Sequence, residues 1–315
     1  MTDTPTALID VLVCTYQRPE LLRKTLDGIA RCAATVESVR IVVVDNDHQQ
    51  SARELTRAWA AQSGIPLEYF SQPQQNISLT RNVALDKVTA PWIAMIDDDE
   101  VPDPDWLSAL LAAATRYDAD VVFGPVISLF DSRAPAWATH DAMFQRKRFA
   151  TGTAMPLKEM RTANSLLRAS RHLQDGFRFD PVLGLSGGED SELFARMHRS
   201  GYSMVWCDEA CVREWTPPSR TTVRWVLKRT FRIGSVDAFN RRRSRRLANV
   251  LGGLFKYSII FVQGMVQALL WAPLSRARSL LGMRRAAMAA GFWYGLYAGP
   301  YLEYRSAGVS VKHSQ

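Results

Sequence analysis

Cysteine is scarce: Cys14, Cys32, Cys207 and Cys211 are the four in 315 residues. That is too few to staple a chain of this length, so a disulfide scaffold is excluded and a reduced, cytoplasmic protein is expected. Cys207 and Cys211 have a spacing that could hold a metal, but no second cysteine pair or nearby His completes a site, and small buried hydrophobes are the preferred reading. No glycine stands in the loop after the first apolar run, where residues 15–19 read TYQRP. This argues against the Gly-rich phosphate loop of nucleotidyltransferases and against a nicotinamide-binding fingerprint. No charged-then-apolar leader precedes that run. Acids are nearly missing from the last third: residues 213–315 hold 18 Lys and Arg against 3 Asp and Glu, whereas residues 1–212 hold 21 against 28. The basic excess therefore belongs to the tail, and so would any nucleic-acid reading. RRRSRR at 241–246 has no interleaved aromatics, which argues against nucleic-acid recognition.

What is present is a repeating strand and helix pattern. Apolar, β-branched runs at 8–15, 41–45, 67–70 and 92–97 alternate with helical patterns at 22–29, 51–59 and 78–88. Such alternation predicts an α/β fold with a mostly parallel, doubly wound sheet, whose ligands lie beyond the carboxyl ends of its strands. Asp103 is expected to cap a following helix with Pro104 at its first position, and 120–127 reads as one more strand. Residues 130–163 lack a clear period and are expected to form a surface excursion. Strands at 164–168 and 203–207 flank a loop and helix that begin GGEDSELF, the second of these strands being the last expected.

Two clusters carry chemistry. The run WIAMIDDDE ends a strand in Asp97, Asp98, Asp99 and Glu100. Adjacent carboxylates repel one another, and a hard divalent cation would relieve them; the alternative is a solvated loop at a helix start. GGED at 187–190 places acids at the head of a helix, where the dipole alone would favour them.

The segments VLVCTYQRPELL, VVVDND, QNISLTRN, IDDDEVPDPDWL and GGEDSELFARMHRSGY occur in this order. Together they resemble the family 2 glycosyltransferases, in particular bacterial exopolysaccharide-type enzymes, over residues 8–216. The resemblance implies a GT-A fold, a nucleotide-diphosphate sugar donor, Mn²⁺ or Mg²⁺ as cofactor, and inversion at the transferred sugar. By position it implies that Thr15, Tyr16 and Arg18 line the base pocket and that Asp45 and Asn46 close it. Arg81 would approach the diphosphate. Asp97 would face the ribose and share the metal with Asp99, and Asp190 would be the catalytic base, with Glu189 orienting the acceptor. Many relatives carry a further His ligand after the last strand; here Glu214 stands nearby instead.

The implied organisation is a catalytic domain over 1–216, a basic helical linker over 217–247, an apolar helical pair over 248–305 and a flexible tail over 306–315. The pair includes uncharged stretches at 257–275 and 286–302. Arginines flank the first stretch at both ends, which disfavours crossing a bilayer and favours lying in its interface. Asn249, Lys256, Gln263 and Gln267 form one narrow polar stripe on the apolar helix. These features point to a polyprenyl-linked glycan as acceptor, at the anionic inner leaflet of the plasma membrane. The competing reading outside the enzymes is a catalytically silent module that scaffolds a membrane assembly.

Overall fold

The computed structural model describes residues 8–244 and 246–302. The tail expected over 306–315 lies outside them. The chain divides into two compact units: one contains residues up to 130 with 140–184 and 189–216, the other contains 131–139, 185–188 and the residues from 217 onward.

The first unit begins with β1 (Ile9–Thr15), α1 (Pro19–Ala33), β2 (Val39–Asp45), α2 (Arg53–Ser63), β3 (Leu67–Ser71), α3 (Ile77–Leu85) and β4 (Trp92–Asp97). It continues with β5 (Glu100–Pro102), α4 (Trp106–Arg116), β6 (Val121–Phe123) and β7 (Val126–Phe130). After an excursion containing α5 (Ala136–Thr139), the chain forms β8 (Ser165–Arg168), α6 (Ala169–Asp175), α7 (Glu189–Arg199), β9 (Met204–Trp206) and β10 (Val212–Thr216). Seven strands form one sheet in the order β3-β2-β1-β4-β8-β6-β9, parallel except for β8, which runs against both its neighbours. The strands read as unbroken apolar runs because both faces of the sheet are covered. Ile9, Val11 and Val13 pack into one core with Ile41, Val43 and Ile96, while Leu12 joins Val42, Val44, Ile93 and Met95 in the other.

Three details differ from the sequence expectation. Residues 120–127 are two strands, because the chain turns at Gly124–Pro125 out of the main sheet and into a small sheet ordered β5-β10-β7. β9 is followed by another strand, β10, in that small sheet. Asp103 does not cap α4: the helix starts after Asp105, and the Asp103 carboxylate instead takes both Arg213 Nε and Nη2 at 2.8 and 3.0 Å.

His172 on α6 is fully buried, and neither ring nitrogen has a hydrogen-bond partner. Burial, reinforced by Arg178 and opposed by Asp175, pushes its pKa down to about 4. The folded chain therefore keeps it neutral where the unfolded chain would protonate it, so stability falls as pH drops from ~6.5 toward 4, by ~2–3 kcal/mol at pH 4.5. Urea unfolding of His172→Phe should show that much less loss between pH 7 and 4.5; an unchanged pH dependence would remove His172 as the cause.

The second unit contains α8 (Val223–Arg243), α9 (Leu247–Trp271) and α10 (Arg276–Ala298). Thr222 caps α8 through Trp225 N, and Ser275 caps α10 through Arg278 N. α10 packs against both other helices, and small residues let the backbones meet. A Cβ on Gly234 would strike the Met288 carbonyl, and one on Gly291 the Phe231 carbonyl. Gly264 and Gly282 make the same close approach between α9 and α10. Gly187, with φ +78°, lies where a Cβ would collide with the Arg232 guanidinium, whose Nη1 donates to Ser186 O at 2.9 Å. Only glycine tolerates both that backbone and that neighbour.

Candidate functional site

The parallel register brings the carboxyl ends of β1, β2 and β4 side by side, with Thr15 opposite Asp45 and Cys14 opposite Asp97. The predicted residues gather here, though not all of them face outward.

Around the acidic turn, Thr15 Oγ1 donates to Asp98 Oδ2 at 2.7 Å, and Arg18 Nη1 lies 3.3 Å from Asp98 Oδ1 and 3.0 Å from Asp99 Oδ2. Asp98 is buried; burial and its neighbours Asp99 and Asp97 push its pKa up to about 7, against the pull of Arg18 and Thr15. Burial, then the charges of Asp97, Glu214 and Asp99, push the pKa of Glu100 well up. Glu100 is buried, accepts the Asp97 backbone N–H at 3.1 Å and stands opposite Glu214 in the small sheet. Glu214 itself pairs with Arg146 Nη2 at 3.5 Å. Tyr16 is half-buried beside Thr15 in the chain.

Asp97 and Asp99 fit a hard divalent cation. The Asp97 side chain is 44% exposed, and Arg18 supplies at Asp99 the positive charge that a cation would replace. Among the described residues no cluster of three or more His, Cys, Asp or Glu side chains forms a metal cage. Two carboxylates suit an ion that completes its shell with diphosphate oxygens and water.

Arg81, on α3, is buried between two acids. Its Nη1 donates to Glu189 Oε1 at 2.5 Å, its Nη2 lies 3.4 Å from Asp97 Oδ1, and its guanidinium sits over the Phe179 ring. Burial opposes its charge, but Glu189, Asp97 and Asp190 outweigh that and hold it protonated. Glu189 is buried as well, so its carboxylate serves Arg81 here and does not face solvent. Asp190, the next residue on the first turn of α7, is half-exposed and accepts Ser191 N at 2.7 Å. It is the outward-facing carboxylate of the pair.

Asp45 and Asn46 are withdrawn from the surface. Asp45 is fully buried and accepts from Asp47 N, Ala52 N and Tyr69 OH, so it organises the loop leading into α2. Asn46 donates from Nδ2 to Gln72 O and Gln74 O, both at 2.7 Å, and accepts Asn76 N at 2.9 Å. The amide is required here because a carboxylate cannot donate to two carbonyls. Asn46→Asp should cost ~2–3 kcal/mol at pH 7, from two buried carbonyls losing their donor, and part should return at low pH, where the acid regains an O–H. Equal unfolding midpoints for the two proteins at pH 7 would refute this.

Sequence reasoning missed Tyr69, Arg146 and Phe179. Each lies outside the motifs and reaches the site only through tertiary packing. Cys207 is buried in the core and Cys211 half-buried, both as free thiols.

The family model for glycosyl transferase family 2 matches residues 10–177. The chain is 37% identical over 228 residues to the succinoglycan biosynthesis protein ExoM of Rhizobium meliloti, covering 72% of each chain. It is 27% identical to validoxylamine A glucosyltransferase of Streptomyces hygroscopicus, covering 63% of this chain and about half (53%) of that one. Among solved structures, the mannosyltransferase PcManGT from Pyrobaculum calidifontis, in complex with GDP-Man and Mn²⁺, aligns with a TM-score of 0.62 at 16% identity over 93% of this chain and 88% of its own. TarS 1-349 of S. aureus with UDP-GlcNAc aligns at 0.55 and 14% identity, over 95% and 97%. At such identities the structural likeness speaks for the fold, a GT-A fold with a mostly parallel sheet. On the family match and the identity to ExoM, the chain belongs to glycosyl transferase family 2.

Proposed function

We propose that the chain is an inverting glycosyltransferase of polysaccharide biosynthesis that moves a sugar from a nucleotide-diphosphate donor to a hydroxyl of a lipid-linked glycan. The observation that carries this reading is the arrangement at one end of the sheet: a buried, permanently charged Arg81 held by Glu189 and Asp97, with the half-exposed carboxylate of Asp190 following directly in the chain. A sugar hydroxyl is a poor nucleophile, so a carboxylate must take its proton as it attacks the anomeric carbon. Asp190 has the exposure for that role. The leaving diphosphate gathers negative charge, and Arg81 is fixed in place to meet it without reorganising. Attack opposite the leaving group inverts the centre. Mn²⁺ or Mg²⁺ held by Asp97 and Asp99 would add charge neutralisation at the same diphosphate. Thr15, Tyr16 and Arg18 remain the proposed nucleotide contacts, whereas Asp45 and Asn46 would shape the pocket from behind.

The donor reading is supported by the relatives, whose names include a glucosyltransferase, and by neighbours solved with UDP-GlcNAc or GDP-Man. Nucleoside-diphosphate release from a panel of nucleotide sugars should depend on Mn²⁺ or Mg²⁺ and on added membrane lipid extract, and the product linkage should be inverted by NMR. Release unaffected by chelation would remove the metal from the proposal; a retained anomeric configuration would remove the single displacement.

The helices from 217 onward support a peripheral position at the anionic inner leaflet. Among the described residues one helix, Leu247–Trp271, is long and apolar enough to cross a bilayer. Its outer face exposes Leu251, Phe255, Val262 and Leu269, bordered by exposed Asn249, Lys256 and Gln263 as a waterline, while Arg276 and Arg278 lie at its far end. Contacts through small residues are the packing that helices use in lipid. The triple variant Phe255→Asp, Val262→Asp, Leu269→Asp should lose more than ~10-fold in partition onto anionic vesicles, since each buried side chain is worth ~1.5–3 kcal/mol. Undiminished flotation of the variant with the vesicles would refute this anchor.

A further inference from the structure

The loop that leads into α7 ends in two consecutive glycines with left-handed backbone, Gly187 at φ +78° and Gly188 at φ +93°. Glycine is the residue least able to hold one backbone conformation by itself, yet Glu189 and Asp190 follow directly. The orientation of that turn must therefore be set by what packs on it. The earlier part of the loop is tied to α3: Asn76 Nδ2 donates to Pro181 O at 2.9 Å, and Ile77 N donates to Gly184 O at 3.2 Å. Residues 185–188 belong instead to the unit that contains α8.

Arg232 and Val236, one turn apart on α8, meet this segment. Arg232 is buried, and its Nη1 donates at 2.9 Å to the carbonyl of Ser186, a fully buried residue. The two glycines admit α8 this closely: a Cβ on Gly187 would strike the Arg232 guanidinium, and one on Gly188 would strike Val236 Cγ1. The turn of α8 that carries Arg232 is itself held. Ser235 Oγ donates to Arg232 O at 2.7 Å and accepts Tyr301 N at 2.9 Å, while Gly291 and Gly295 of α10 lie so near the backbone of Phe231 and Ser235 that neither has room for a Cβ. A buried carbonyl that loses its donor is left with its full desolvation cost, so the Ser186 carbonyl stays where Arg232 can reach it.

We propose that Arg232 is a positioning residue for sugar transfer: by holding the Ser186 carbonyl it fixes the Gly187–Gly188 turn, and through that turn the direction in which Asp190, two residues further on, presents its carboxylate. This rests on the reading of Asp190 as the base that takes the acceptor's proton. Arg232 acts on the reaction through the loop and not by touching a substrate. The effect is large because a displacement of ~1 Å at a reacting group costs on the order of 10²-fold in rate.

The test uses the full-length protein. Arg232→Met removes the donors and keeps an unbranched side chain, whereas Arg232→Lys keeps a charge and a donor. Amide hydrogen exchange over residues 185–192 should be at least about fivefold faster in Arg232→Met than in the unsubstituted protein and within about twofold in Arg232→Lys, with exchange in β1 and β4 unchanged. In sugar transfer, kcat of Arg232→Met should fall at least about tenfold, while KM for the donor and affinity for UDP or GDP, whichever the donor panel selects, stay within about twofold. Arg232→Lys should restore most of that kcat. An arginine that served stability alone would lower the melting temperature and leave kcat per folded molecule as it was. Gly187→Ala breaks the same contact from the loop side with α8 untouched, and it should reproduce both effects even where Arg232→Met does not fold. Unchanged exchange over 185–192, or faster exchange beside an unchanged kcat, would overturn the proposal. Exchange that responds to Arg232→Met in a protein that transfers no sugar would refute the enzymatic reading alone.

Discussion

Replacing Asp190 with Asn is expected to lower sugar transfer by ~10²–10⁴-fold, the usual contribution of a general base, while nucleotide binding persists. The substitution is nearly isosteric and the position half-exposed, so the fold has little to lose. The Ser191 N–H that Asp190 accepts at 2.7 Å can be accepted equally by an amide oxygen. What Asn cannot do is take a proton. Turnover should therefore fall with little change in donor affinity, the signature of an interaction made only in the transition state. Equal turnover by the two proteins would remove Asp190 as the base. A parallel loss of nucleotide affinity would instead place Asp190 in the donor site.

The same neighbourhood illustrates what a sequence can and cannot reveal. The strands of the main sheet were legible because both-face burial writes itself as runs such as Ile41–Val44, and the ends of those runs marked where a ligand would lie. The direction of side chains at those ends was not legible. Asp45 and Asn46 sit in a motif expected to close the base pocket, yet their polar atoms are consumed by Ala52, Tyr69 and the carbonyls of Gln72 and Gln74. These partners lie 7 to 28 residues away in the chain, a pairing that no local pattern encodes. Glu189 makes the same point, for its partner Arg81 is 108 residues distant. The break at Gly124 was hidden for another reason: the buried apolar run Val121–Phe123 resumes at Val126 directly after the turn. A proline following a glycine was the available signal, since proline removes a ladder donor.

Arg81 should be the residue whose loss damages both stability and function most. Arg81→Leu leaves Glu189 buried without its counter-charge, and breaking a buried pair from one side typically costs ~3–5 kcal/mol. Removing both charges is a different case. Arg81→Leu with Glu189→Leu replaces a desolvated pair by apolar side chains beside Phe179, and such exchanges are often neutral or stabilising. The double variant should therefore recover most of the unfolding free energy lost by Arg81→Leu, leaving a coupling of ~2–4 kcal/mol between the two positions in a double-mutant cycle. Activity should follow the opposite logic. If Arg81 meets the leaving diphosphate, the double variant stays as inactive as the single one despite its regained stability, because the preorganised positive charge is gone. Recovery of both stability and transfer would assign the pair a purely structural role. Recovery of stability alone would separate the two contributions, with Glu189 holding Arg81 in position and Arg81 acting on the substrate.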